Sequence, residues 1–157
     1  MTKGWTVAAA TLFRNILALV DGTESGMRAA ACAIELARSM RSRLVAIAVV
    51  DTDTLRKLMS ARILVPEEVA EFESELGRTE KRCLTFVEQM AQKAGIAVET
   101  VLREGICHST VLAEQRTMKA DLIVIGGFQQ TLTRHNLISR ERQIIIDEAP
   151  CSVLVVK

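Results

Sequence analysis

Residues 121–157 read DLIVIGGFQQTLTRHNLISRERQIIIDEAPCSVLVVK, and the fold turns on this stretch. An uninterrupted apolar run, Leu122 to Ile125, stops on Gly126 and Gly127; a polar stretch and a helix-like segment follow, and a second apolar run, Val153 to Val156, closes the chain. Short apolar runs bounded by glycine or polar residues read as buried strands, so the order is strand, glycine turn, helix, strand. In an open parallel sheet, ligands bind in the crevice outside the carboxyl ends of the strands. A turn that leaves a strand there and enters a helix offers backbone N–H groups to a phosphate. Gly126 and Gly127 stand where a nucleotide would bind.

Working outward, the same alternation runs through the chain. Ile16 to Val20 is a short apolar run between Asn15 and Asp21, as expected of a central strand covered on both faces. Asp21 and Gly22 make a turn, Thr23 is a helix cap, and Ala30, Ala33, Ile34 and Ala37 follow at helical spacing. Leu44 to Val50 is a second buried strand ended by Asp51, and Thr52 to Val65 reads as a loop with a partial helical turn. Pro66, with Glu67 and Glu68 behind it, opens a long helix that Gly95 stops. Ala97 to Leu102 alternates as an outer strand, Gly105 to Ser109 turns the chain, and Val111, Leu112, Gln115 and Met118 mark a shorter helix. Strand and helix alternating through short right-handed crossovers assemble a doubly wound parallel α/β sheet.

The 157 residues fit one domain, residues 15–157, behind an extension of residues 1–14. The apolar patch Val7 to Ala10 is too short for a signal peptide or membrane anchor, which predicts a cytoplasmic protein. Twenty basic residues against 19 acidic ones give no electrostatic case for nucleic acid or an anionic membrane, and 3% aromatics argue against base stacking. Cys32, Cys83, Cys107 and Cys151 are dispersed, without paired metal spacing, and read as reduced thiols.

From Asn15 onward the chain resembles the universal stress protein family. The residues that carry the resemblance are NILALVDGTESGMRAA at the first strand and turn, AIAVVD at the end of the second strand, and DLIVIGG followed by APCSVLVV. The resemblance implies a Rossmann-like five-stranded sheet in the order 3-2-1-4-5. Family members that bind ATP carry a glycine, two residues, a second glycine, nine residues, then glycine and a serine or threonine. Here the first glycine is Gly126, the second position is Gln129, and the later pair is Ser139 and Arg140. A side chain at Gln129 obstructs a phosphate that needs bare backbone, and Arg140 can fold into the vacated pocket or meet an anion.

Carried over residue by residue, the resemblance outlines a nucleotide cleft of Asp21, Val49, Ile125, Gly126, Gly127, Ser139 and Arg140. Asp21 stands at the nucleoside end, where it either contacts ligand or merely satisfies its turn, and Val49 lines the adenine pocket. The expected protein is a stress-response binding protein with no cofactor and no ATP dependence; the alternative is a sensor of ATP or AMP with a remodelled phosphate loop. The strand Ser152 to Val156 falls at a sheet edge without charge or proline, and such an edge pairs readily with another chain. That, with the resemblance, predicts a homodimer through this strand, acting on protein partners the sequence does not identify.

Signals for catalysis or a metal are weak. Cys107 and His108 precede a helix whose dipole lowers a thiol pKa, but sequence neighbours rarely face one another and no orienting third group is evident. His135 sits in the polar stretch beside Arg134, with solvent or an anion as its partner. Arg140, Glu141 and Arg142 read as the solvated start of the last helix, where a cation opposes the dipole. No catalytic or metal-binding constellation emerges, and the chain is not read as an enzyme.

Overall fold

Strands that are apolar on both faces are stable only between two layers of helix, and the chain supplies both layers. The computed structural model describes residues 12–128 and 134–157, with the side chains of 54, 58 and 134–138 outside that description. The strands are β1 (Asn15–Leu19), β2 (Arg43–Asp51), β3 (Glu99–Gly105), β4 (Leu122–Gly126) and β5 (Ser152–Val156). All pair in parallel, in the expected order β3-β2-β1-β4-β5. The helices are α1 (Glu24–Met40), α2 (Thr52–Ser60), α3 (Pro66–Lys93), α4 (Cys107–Met118) and α5 (Arg134–Glu148).

Side chains alternate across each strand, so the core has two halves. Ile16, Ala18, Val20, Leu44 and Ala46 pack under α1 and α3. Leu17, Leu19, Val45, Ile47, Ile123 and Ile125 pack on the other face, with Val111 and Leu112 of α4 and Ile145 of α5. Ala29, Ala30, Ala33 and Ala37 are all buried and let α1 lie close on the sheet. At Gly126 the approach is closest: a Cβ there would stand 2.6 Å from the backbone carbon of Ser25. This glycine is required by the contact between β4 and the first turn of α1.

The structure departs from expectation in three places. Residues 52–60 form a helix where a loop was expected. Leu55, Leu58 and Met59 have the spacing of one apolar stripe, Leu55 is buried, Asp51 Oδ1 accepts from the backbone N–H of Asp53 at 3.1 Å, and Lys57 pairs with Asp53 at 2.7 Å. β3 runs three residues further than Leu102, because pairing with β2 continues to Asp51 opposite Gly105. The last helix begins at Arg134, so Arg140 to Arg142 lie in its interior, beyond the turn where the dipole penalises a cation. Gly95 does stop the long helix, at φ +75, a conformation that costs other residues. Residues 1–11 of the expected extension lie outside the described residues. Among those described, no helix is long and apolar enough to cross a membrane.

Candidate functional site

The sheet changes direction between β1 and β4, and the crevice at their carboxyl ends is lined by the turn after β1, the first turn of α1, the backbone after β4 and the inner face of α5. The local sequence makes this turn rigid. Asp21 Oδ1 accepts from the backbone N–H of Thr23 at 3.1 Å and from its hydroxyl at 2.6 Å, while Thr23 Oγ1 caps α1 by accepting from the Gly26 N–H at 3.0 Å. Gly26 is needed here, since a Cβ would collide with Asp21 Oδ1. One carboxylate oxygen of Asp21 thus satisfies its own turn.

The other oxygen meets a cation from α5, and that cation is Arg142. Its side chain is 2% exposed. One terminal nitrogen, Nη2, donates to Asp21 Oδ2 and to Thr23 Oγ1, the latter at 3.0 Å; the other, Nη1, donates to the Gly127 carbonyl and to Ser25 Oγ at 3.3 Å. A charge taken out of water is tolerable only when paired and hydrogen-bonded, and four acceptors from three segments provide this. Its Nε, also buried, has no partner among the described residues.

This arrangement corrects the sequence reading of the charged triplet. Arg140, expected to fold into the vacated pocket, is exposed, and Arg142, expected on a solvated face, is buried. Helical period explains the exchange. Ile145 is fully buried, and Glu141 and Arg142 stand four and three residues before it on the same inward face, whereas Arg140 is turned away. Counting back from the Ile144–Ile146 run would have found them.

The remaining predicted residues divide in the same way. Gly126 serves helix packing. The N–H of Gly127 is taken by the Val156 carbonyl at 2.6 Å, so it is not an unpaired donor offered to a phosphate. Ile125 is fully buried in the core and presents no side chain to the crevice. Val49 is half-buried near the end of β2, and Ser139 is half-exposed on α5. Gln129 lies outside the described residues, as does the side chain of His135.

Two acidic residues were missed. Glu141 Oε2 accepts from the backbone N–H of His108 at 2.8 Å and from its imidazole Nδ1–H at 2.7 Å, tying the start of α4 to α5. It neutralises the positive end of α4 and is the partner of His108 that the sequence did not reveal. The second is Glu80 of α3. Burial first, and the Asp21 carboxylate second, push its carboxyl up to about 7, and its Oε2 is buried without a hydrogen bond. Cys107 behaves opposite to expectation: burial, then the Glu141 carboxylate, push its thiol well above the ordinary value, so the helix dipole does not produce a thiolate. Among the described residues, no group of three His, Cys, Asp or Glu is arranged to hold a metal ion.

Comparison with known proteins agrees with the geometry. The model of the universal stress protein family matches residues 12–157. The chain belongs to the universal stress protein family. Universal stress protein MJ0531 of Methanocaldococcus jannaschii is 32% identical over 148 residues, covering 93% of this chain and 83% of that protein. Among solved structures, universal stress protein UspA from Lactobacillus plantarum superposes with a TM-score of 0.76 at 22% identity, over 96% of this chain and 100% of that one. The universal stress protein from Archaeoglobus fulgidus in complex with dAMP gives 0.60 at 17% identity, over 93% and 99%. At these identities the structures establish the fold alone.

Proposed function

We propose that this universal stress protein acts in the cytoplasm as a homodimer that binds other proteins, and that it does so without ATP and without turnover. The observation that carries the reading is the Arg142 guanidinium, which fills the crevice between β1 and β4 and is held there by Asp21, Thr23, Ser25 and the Gly127 carbonyl. A triphosphate entering the crevice would have to displace a buried ion pair and break its hydrogen bonds. Asp21 Oδ1 is spent on its turn and Oδ2 is paired with Arg142, so a ribose would have to share Oδ2 with the guanidinium. The dimer rests on β5, an edge strand that pairs only with β4 among the described residues and carries half-buried Val153, Leu154, Val155 and Val156.

A second reading keeps the crevice as an adenine-nucleotide sensor for ATP or AMP. It is favoured by the dAMP complex of the Archaeoglobus fulgidus relative and by the partial exposure of Val49. Calorimetric titration of the purified protein with Mg-ATP and with AMP separates the two. No binding heat is expected with either, and Arg140→Ser leaves this unchanged because Arg142 stays in place. Adenine nucleotide released on denaturing the purified protein would reverse the order of the two readings.

A further inference from the structure

The outer face of α3 carries charge that the rest of the chain does not use. Glu67, Glu71 and Glu75 repeat at four-residue spacing, and Arg78 and Arg82 do the same directly after them. Like charges four apart on a helix repel one another, so the stripe is divided into an acidic half and a basic half, each unfavourable within itself. All five side chains are exposed, and none forms an ion pair within the described residues. Two shallow depressions of about 470 and 400 Å³ run along this face, and Arg78 and Arg82 line both. Large apolar side chains stand beyond each end of the charges: Val65 just before the helix is 53% exposed, and Phe86 is 52% exposed.

We propose that this face docks a second copy of the chain, with the two α3 helices antiparallel about a two-fold axis near their Ser74–Thr79 segment. A two-fold contact must be self-complementary, and the stripe is. In this register Glu71 meets Arg82 of the second copy and Glu75 meets its Arg78, and symmetry repeats both pairs. Phe86 then stands opposite Glu67 of the other helix, one residue from its Pro66, so its ring covers each end of the four ion pairs. No charge meets its like. A helix of 28 residues, about 42 Å long, gives room for this contact.

The α3 face lies on the β2 and β3 side of the sheet, whereas β5 is the opposite edge. The contact is therefore independent of the homodimer proposed above, and where both form, α3 pairing joins β5 dimers into a larger assembly. Exposed ion pairs are individually weak and screened by salt. Association through α3 should be salt-sensitive, while strand pairing through β5 should not.

The test is light-scattering mass at low and high salt for three proteins whose folding is checked by circular dichroism: wild type, R78E/R82E, and E71R/E75R. The wild-type mass should fall by at least about two-fold on adding salt, and each double variant alone should show the reduced mass even at low salt. An equimolar mixture of the two variants restores opposite charges at all four pairs and should return the mass to the wild-type value. A wild-type mass indifferent to salt, or a mixture that stays at the reduced mass, overturns the α3 contact. The species that survives high salt reports separately on β5: a dimer supports strand pairing, and a monomer removes it while leaving the α3 result intact.

Discussion

At the carboxyl ends of β1 and β4 a single guanidinium meets four acceptors from its own chain; along the outer face of α3, two guanidiniums and three carboxylates form no ion pair among the described residues. Both regions belong to helices with mixed charge, and the residue types are the same. What separates them is water. Arg142 is buried, so leaving it unpaired would cost several kcal/mol, and the fold is arranged around satisfying it. Arg78 and Arg82 are hydrated, nothing compels them to pair, and they remain available to another surface. A buried charge is thus committed to the fold, and an exposed one to whatever the molecule meets.

The sharpest way to break this comparison is at Arg142. Arg142→Ala leaves Asp21 Oδ2 without its donor and removes one donor each from Thr23 Oγ1, Ser25 Oγ and the Gly127 carbonyl, and truncating one partner of a buried pair costs about 3–5 kcal/mol. Urea unfolding should show a loss of this size, and Asp21→Asn on the Arg142→Ala background should cost far less than it does alone, because the carboxylate has already lost its partner. Additive losses would mean that the two side chains are not coupled.

A smaller effect is expected at Glu80, whose buried Oε2 has no hydrogen-bond partner among the described residues. Its carboxyl titrates at about 7 in the folded chain against the ordinary 4.5, because burial and the Asp21 carboxylate disfavour its charge. The folded state therefore holds the proton more tightly than the unfolded one. Stability is greatest below 4.5, declines as pH rises toward 7, and stays low above it. Glu80→Gln removes the ionisation, so at pH about 8 the variant should be more stable than wild type by roughly 1–2 kcal/mol, the full shift being discounted for the part of the group that water still screens. Near pH 4 the two should coincide. Parallel stability curves across that range would show that Glu80 is not held against its charge.

The legibility of the chain follows the same division. Strands β1, β2, β4 and β5 announce themselves because both faces of each are buried or partly buried, so the apolar run is continuous and its ends are marked by Asn15, Asp21, Asp51 and Gly126. Thr23 and Gly95 are legible because a cap and a left-handed stop need particular residues. α2 was missed because its stripe is short and interrupted by charge. Arg142 was missed because burial of a cation depends on acceptors from Asp21 and Ser25, more than a hundred residues away, and from Gly127, 15 residues before it, which no local pattern records. The contacts of Gly126 and Gly127 were not legible for a related reason: a glycine at a strand end looks alike whatever approaches it, here the backbone of α1 at Gly126 and the end of β5 at Gly127.

The smallest effect completes the contrast, and it concerns a glutamate on the same helix as Glu80. Glu71 stands between Glu67 and Glu75 at four-residue spacing and has no cationic partner among the described residues. Neutralising it therefore removes the repulsions from Glu67 and Glu75, and from Glu68 at i−3, and no attraction. Glu71→Gln should stabilise the isolated subunit by about 0.2–0.5 kcal/mol at low ionic strength, with the gain vanishing as salt screens the stripe. Measured at protein concentrations low enough to keep the α3 face unoccupied, a loss of stability would mean that Glu71 is paired inside the subunit after all. At high concentration the sign should turn, because the same substitution then removes an ion pair between copies. One carboxylate gains from losing its charge because it is buried, the other only because it is alone, and dilution is the variable that tells them apart.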